Sequence, residues 1–116
     1  MEKRLQIAKE LRLKAAGYDL LSDEQFATLI FRAHSTLRLS DQGLLILSRF
    51  YKEYEFRTNT LISIRGLILL SKELTIPYYL SELKFVVFSE EVAMMIALCG
   101  GVDMYLKTLI EHSEEK

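Results

Sequence analysis

Few residues in this chain are equipped for bond-making chemistry, and they do not converge. One cysteine, Cys99, and two histidines, His34 and His112, are the strongest nucleophile and metal-ligand types present. A zinc site needs ligands at short helical or turn spacing, and neither His-x-x-x-His nor Glu-x-x-His occurs. Cys99 follows Met94, Met95, Ile96, Ala97 and Leu98, an apolar helical setting that favours a small buried hydrophobe with an inert thiol. Serines precede acids at Ser22-Asp23, Ser40-Asp41 and Ser89-Glu90. There the hydroxyl can accept an orphan backbone N–H while the acid favours the helix dipole, so a helix start explains each pair without catalysis. No catalytic residue, metal, cofactor or small-molecule substrate is expected, and the chain is expected not to be an enzyme.

Recognition chemistry is better represented. Between Arg49 and Arg57 lie Phe50, Tyr51, Tyr54 and Phe56, four rings and two guanidinium groups in nine residues. Tyr and Arg bury large area while keeping a polar end, which suits binding hot spots. The candidate protein-binding set is therefore Arg49, Phe50, Tyr51, Tyr54 and Arg57, extended by Tyr78 and Tyr79. The competing reading makes the rings core and the charges a solvated edge.

A second candidate lies at residues 70–84. An apolar-faced helix, a turn at Thr75-Ile76-Pro77 and a second helix would make a helix-turn-helix. In outline this resembles the reading unit of bacterial repressors, which would imply DNA binding through Tyr78, Tyr79, Ser81 and Lys84. The segment departs from that pattern: the turn lacks its usual glycine, and Leu80 falls one place early. The second helix would offer one cation, one anion and no Arg or Asn for phosphates and base edges. A DNA-binding regulator is thus the alternative, and a protein-binding adaptor, chaperone-like or regulatory protein the main expectation.

The elements that would carry these residues read as helices. One proline and five glycines among 116 residues leave few breakers. Ser22 with Gln25 makes a capping box. Helices are predicted over 2–16, 23–37, 41–56, 59–74, 90–99 and 102–112, with a short helix or partial strand over 78–87. The expected fold is a single all-α bundle of six or seven short helices spanning 1–116, with helix 59–74 central and a frayed tail at 112–116.

Composition sets the remaining expectations. Half the residues are hydrophobic, 27% are charged, and the net charge is −1, so no global field draws the chain to nucleic acid or anionic membrane. The first nine residues hold charges and no apolar signal run. The longest apolar stretch, Leu61 to Leu70, is about half a membrane span and contains Arg65. A lone cysteine allows no internal disulfide, and a cytoplasmic location is expected. So much Leu and Ile in a short chain also implies an apolar face shared with another protein or with a second copy.

Overall fold

Four serines set the helix starts. Their hydroxyls accept backbone N–H groups three residues on: Ser22 from Gln25, Ser40 from Gly43, Ser63 from Gly66 and Ser89 from Val92. Gln25 closes the capping box by accepting the Ser22 N–H at 2.9 Å. The Ser63 start shortens the fourth predicted helix, which was expected from residue 59. A computed structural model describes residues 2–15, 17–32, 36–59 and 61–114. The chain folds as two compact units, Met1–Lys52 and Glu53–Lys116.

The N-terminal unit holds three helices: α1 (Glu2–Lys14), α2 (Asp23–Ile30) and α3 (Asp41–Ser48). Ala8 and Leu11 of α1, Phe26, Ala27 and Ile30 of α2, and Leu44, Ile46 and Leu47 of α3 are buried. Arg12 spans α1 to α2, meeting the Asp23 carboxylate and the Asp19 carbonyl, each at 3.0 Å. Helix α2 stops at Ile30 because Phe31 turns extended and pairs with Leu39. Of the predicted continuation to Leu37, residues 31, 32, 36 and 37 are not helical, and residues 33–35, with His34, lie outside the described residues. Gly43 sits against the end of α2: a Cβ there would collide with the Ile30 carbonyl oxygen.

The C-terminal unit is mixed. Strand β1 (Tyr54–Arg57) precedes α4 (Ile64–Glu73), the hairpin β2 (Tyr78–Ser81) and β3 (Lys84–Val87), then α5 (Glu90–Leu98) and α6 (Val102–Glu114). The sheet is antiparallel with order β1-β3-β2. Phe85 is the central pairing residue, opposite Phe56 on one side and Leu80 on the other. Tyr54, Phe56, Tyr78, Leu80, Phe85 and Val87 share one face and pack against Leu70 of α4, Ile96 of α5, and Val102, Tyr105 and Leu106 of α6.

The all-α expectation is thus corrected. The described residues form six helices plus a three-stranded antiparallel sheet, a mixed α/β architecture. Period-two alternation explains the strands: Tyr54 and Phe56 face inward while Glu55 and Arg57 are exposed. In four-residue stretches that signal is hidden inside longer apolar runs that also fit a helix. The third predicted helix, 41–56, stops at Ser48 for this reason, and the hairpin replaces the short helix over 78–87. Helix 59–74 is not central either. In α4 the buried residues are Gly66 and Leu70, whereas Ile64 is 78% exposed. Within the tail expected to fray at 112–116, residues 112–114 are helical, since α6 runs to Glu114, whose carboxylate meets Arg65 at 3.2 Å; residues 115 and 116 lie outside the described residues.

Candidate protein-binding face

Helix α5 is apolar around most of its circumference. After the first-turn acids Glu90 and Glu91 it reads Val-Ala-Met-Met-Ile-Ala-Leu. Such a helix ordinarily belongs inside a large core or a membrane. Here it lies at the edge of a small unit and can bury only one side. Ala93 and Ile96 point into the core, with Val92 and Cys99 half-buried beside them. Met94, Met95 and Leu98 occupy the opposite side at i, i+1 and i+4, and they are exposed. Leu98 is 86% exposed and Met94 57%.

The end of α5 adds to this face. Gly100 donates to Ala97 and Gly101 to Ile96, the paired bonds of a Schellman termination. Both glycines have positive φ, at 97° and 116°, which lets α6 leave at 81° to α5. Met104, in the first turn of α6, lies over that corner. Its Cγ would be 3.5 Å from a Gly100 Cβ, and its side chain is half exposed. The result is an exposed strip of three methionines and a leucine. Thioether side chains are polarizable and unbranched, so they adapt to a partner's contours.

Glu90 and Glu91 precede the strip on α5, and Asp103 and Lys107 lie beside Met104 along α6. No Lys or Arg occurs between Lys84 and Lys107, and the charges in that interval are Glu90, Glu91 and Asp103. Asp103 is partly engaged, since its carboxylate accepts the Asn59 backbone N–H at 2.8 Å. The unit as a whole carries six Lys and Arg against ten Asp and Glu, a net of −4.

A second apolar feature lies between α4 and α6. Leu61, Ile62, Leu106 and Ile110 line an open groove of about 480 Å³ with Asp103, Lys107 and Glu111 at its rim. Arg65 ties the two helices together by reaching Glu114 at 3.2 Å and the Ser113 hydroxyl at 3.1 Å. A Cβ at Gly66 would crowd the Ile62 side chain at 2.9 Å and meet Leu106 of α6 at an ordinary 3.9 Å.

The residues chosen from sequence fall in both units, and Tyr54 and Tyr78 both lie opposite Val87 in the sheet. Arg49, Phe50 and Tyr51 belong to the N-terminal unit, and Tyr54, Arg57, Tyr78 and Tyr79 to the C-terminal unit. Phe50 and Tyr54 do not share a helix face, because α3 ends at Ser48 and Tyr54 opens β1. Tyr51 is partly exposed, and the Lys14 ammonium lies 5.0 Å from its ring centre. Tyr54 packs on the core, Arg57 is exposed, and Tyr78 and Tyr79 are buried. The Tyr78 hydroxyl shares a hydrogen bond of 3.0 Å with Ser71.

The four residues of the DNA-binding alternative lie on a hairpin rather than on a reading helix, which corrects the helix-turn-helix outline. Aromatic and β-branched residues pair across β2 and β3, joined by the two-residue turn Glu82-Leu83. Lys84 there meets the Glu55 carboxylate at 3.3 Å.

Among the described residues no group of three or more His, Cys, Asp or Glu side chains is placed to hold a metal ion. Among the described residues no single helix is long and apolar enough to cross a membrane. Sequence spacing alone does not pick out the methionine strip, because every side of this apolar helix fits a packed face. The available signal was an apolar helix with no polar side to give to water. Comparison with protein-family models, curated proteins and solved structures finds no significant match to this chain.

Proposed function

We propose that this chain is a non-catalytic, cytoplasmic adaptor or regulatory protein that docks another protein through a helical surface. The surface is the exposed side of α5 together with Met104. The observation that supports this reading is the strip Met94, Met95, Leu98 and Met104, exposed on one side of a helix whose other side is core. Contiguous exposed apolar area of this kind marks interaction sites, and methionine is enriched in them.

The test is a photo-crosslinking residue at position 98 of the full chain, produced in its native cells. A discrete adduct with another protein, lost when Met94→Ser and Met95→Ser are added, supports the reading. An adduct that survives those changes, or no adduct at all, overturns it. Retention of the wild-type circular dichroism spectrum in each variant separates lost docking from lost fold.

A further inference from the structure

We infer that the open edge of the sheet pairs with a second copy of this chain, β1 against β1 about a twofold axis at Phe56. Thr58 donates its backbone N–H to the carbonyl of Leu83, directly opposite, at 2.9 Å. Antiparallel pairing alternates, so Thr58, Phe56 and Tyr54 turn their backbone groups toward β3, and Glu55 and Arg57 turn theirs outward. Among the described residues no hydrogen bond outside the sheet takes up those outward groups. Two residues beyond Arg57 the edge is closed, because the Asn59 N–H goes to the Asp103 carboxylate at 2.8 Å. The opposite edge strand, β2, is buried at Tyr78, Tyr79 and Leu80, whereas Glu55 and Arg57 are exposed. The edge available for pairing is therefore β1.

Charge selects both the occupant and the register. Like charges on an edge repel a second copy of it. Here the two outward residues have opposite signs, in the order Glu55-Phe56-Arg57. Run antiparallel against itself about Phe56, this stretch sets Glu55 opposite the second copy's Arg57, and Arg57 opposite its Glu55. These are the residues whose backbone groups point outward, so ion pairing and backbone hydrogen bonding fall in one register. The neighbouring registers set Glu55 against Glu55 or Arg57 against Arg57. Within its own sheet Arg57 faces a cation: Lys84 lies directly opposite and meets Glu55 instead, at 3.3 Å. The second copy's Glu55 brings that guanidinium a carboxylate. Phe56, half-buried in one copy, meets its counterpart across the axis at the non-hydrogen-bonded position, where side chains approach most closely. An unrelated strand would satisfy the backbone but has no cause to present an acid and a base in this order. The arrangement is isologous and closes as a dimer, and the paired stretch is short, so the dimer is weak.

The experiment is sedimentation equilibrium of the full chain at concentrations up to about 1 mM. Wild type associates to a dimer. Glu55→Arg alone and Arg57→Glu alone each set like charges opposite one another and weaken the dimer about tenfold. Mixed together, the two variants associate as tightly as wild type, because the arginines of one copy then face the glutamates of the other. That recovery also shows that both variants are folded. In hydrogen exchange the Glu55 and Arg57 amides gain protection as concentration rises. Leu98→Ser leaves the dimer unchanged.

A chain that stays monomeric over that range overturns the proposal. So does a dimer indifferent to both charge reversals, or a pair of folded variants that fails to recover on mixing. Edge amides that exchange equally fast in monomer and dimer overturn it whatever the variants do. A dimer dissociated by Leu98→Ser assigns self-association to the α5 strip and overturns the edge pairing. A photo-crosslinking residue at position 55 that captures only a different protein assigns the edge to a foreign strand, with the same consequence. The docking reading for α5 is decided separately, by its own crosslink at position 98.

Discussion

Tyr105 is buried in the C-terminal core, and its hydroxyl has no hydrogen-bond partner among the described residues. Burial raises the pKa of that hydroxyl above its ordinary value of 10.0, and the nearby Glu73 and Cys99 push the same way. The folded state therefore holds the Tyr105 proton more tightly than the unfolded chain does. Its share of stability is whole below pH 10 and is lost as pH climbs toward the raised value. Tyr105→Phe should remove this alkaline loss. It should also stabilise the protein by up to about 1 kcal/mol at neutral pH, since an unpaired buried hydroxyl is a net cost. Urea titrations at pH 7 and above pH 10 check both expectations. A variant less stable than wild type at pH 7 would mean that the hydroxyl is satisfied. Tyr78 is the counter-example, because its hydroxyl is bonded to Ser71; Tyr78→Phe should cost about 1 kcal/mol by the same measurement.

At the scale of elements, the two sides of α5 give the sharpest contrast. Ile96 is fully buried and Leu98 is almost fully exposed, two positions apart on one helix. Ile96→Ala should cost about 2–4 kcal/mol through lost burial and a residual cavity. Leu98→Ala should change stability by less than about 0.5 kcal/mol, because little is packed on it. Comparable losses at the two positions in thermal melts would show that the strip is covered in the free protein. The α2–α3 junction holds the second contrast. Gly43 is required there for space, since a Cβ would collide with the Ile30 carbonyl. Gly43→Ala should destabilise by about 1–3 kcal/mol despite alanine's higher helix propensity. Chemical denaturation decides the sign, and a more stable variant would mean that the junction relaxes without cost.

At the scale of the whole molecule, charge is divided between the units. The N-terminal unit has nine Lys and Arg against six Asp and Glu, a net of +3, while the C-terminal unit is at −4. The near-neutral total conceals this division, which is why composition alone offered no partner. With an isoelectric point near 6.1 and an exposed methionine strip, solubility should be lowest around pH 6. Leu98→Ser should raise that minimum without moving its pH. Precipitation by polyethylene glycol across a pH series tests this, and an unchanged minimum would show that the strip contributes nothing to self-association.

The parts of this molecule settled by its sequence are those that depend on near neighbours. Ser22, Ser40 and Ser89 cap helices because the hydroxyl, the acid and the receiving N–H lie within one turn, so each start was legible before any packing was known. The double glycine at 100–101 ended α5 for an equally local reason. What the tertiary structure decided depends on residues distant in sequence. Tyr54–Arg57 is a strand because Lys84–Val87 lies beside it, and nothing within four residues of Tyr54 supplies that partner. The strip on α5 required the same long-range information: an apolar helix shows all its sides in a sequence, and only packing against β3 and α6 determines which side meets water.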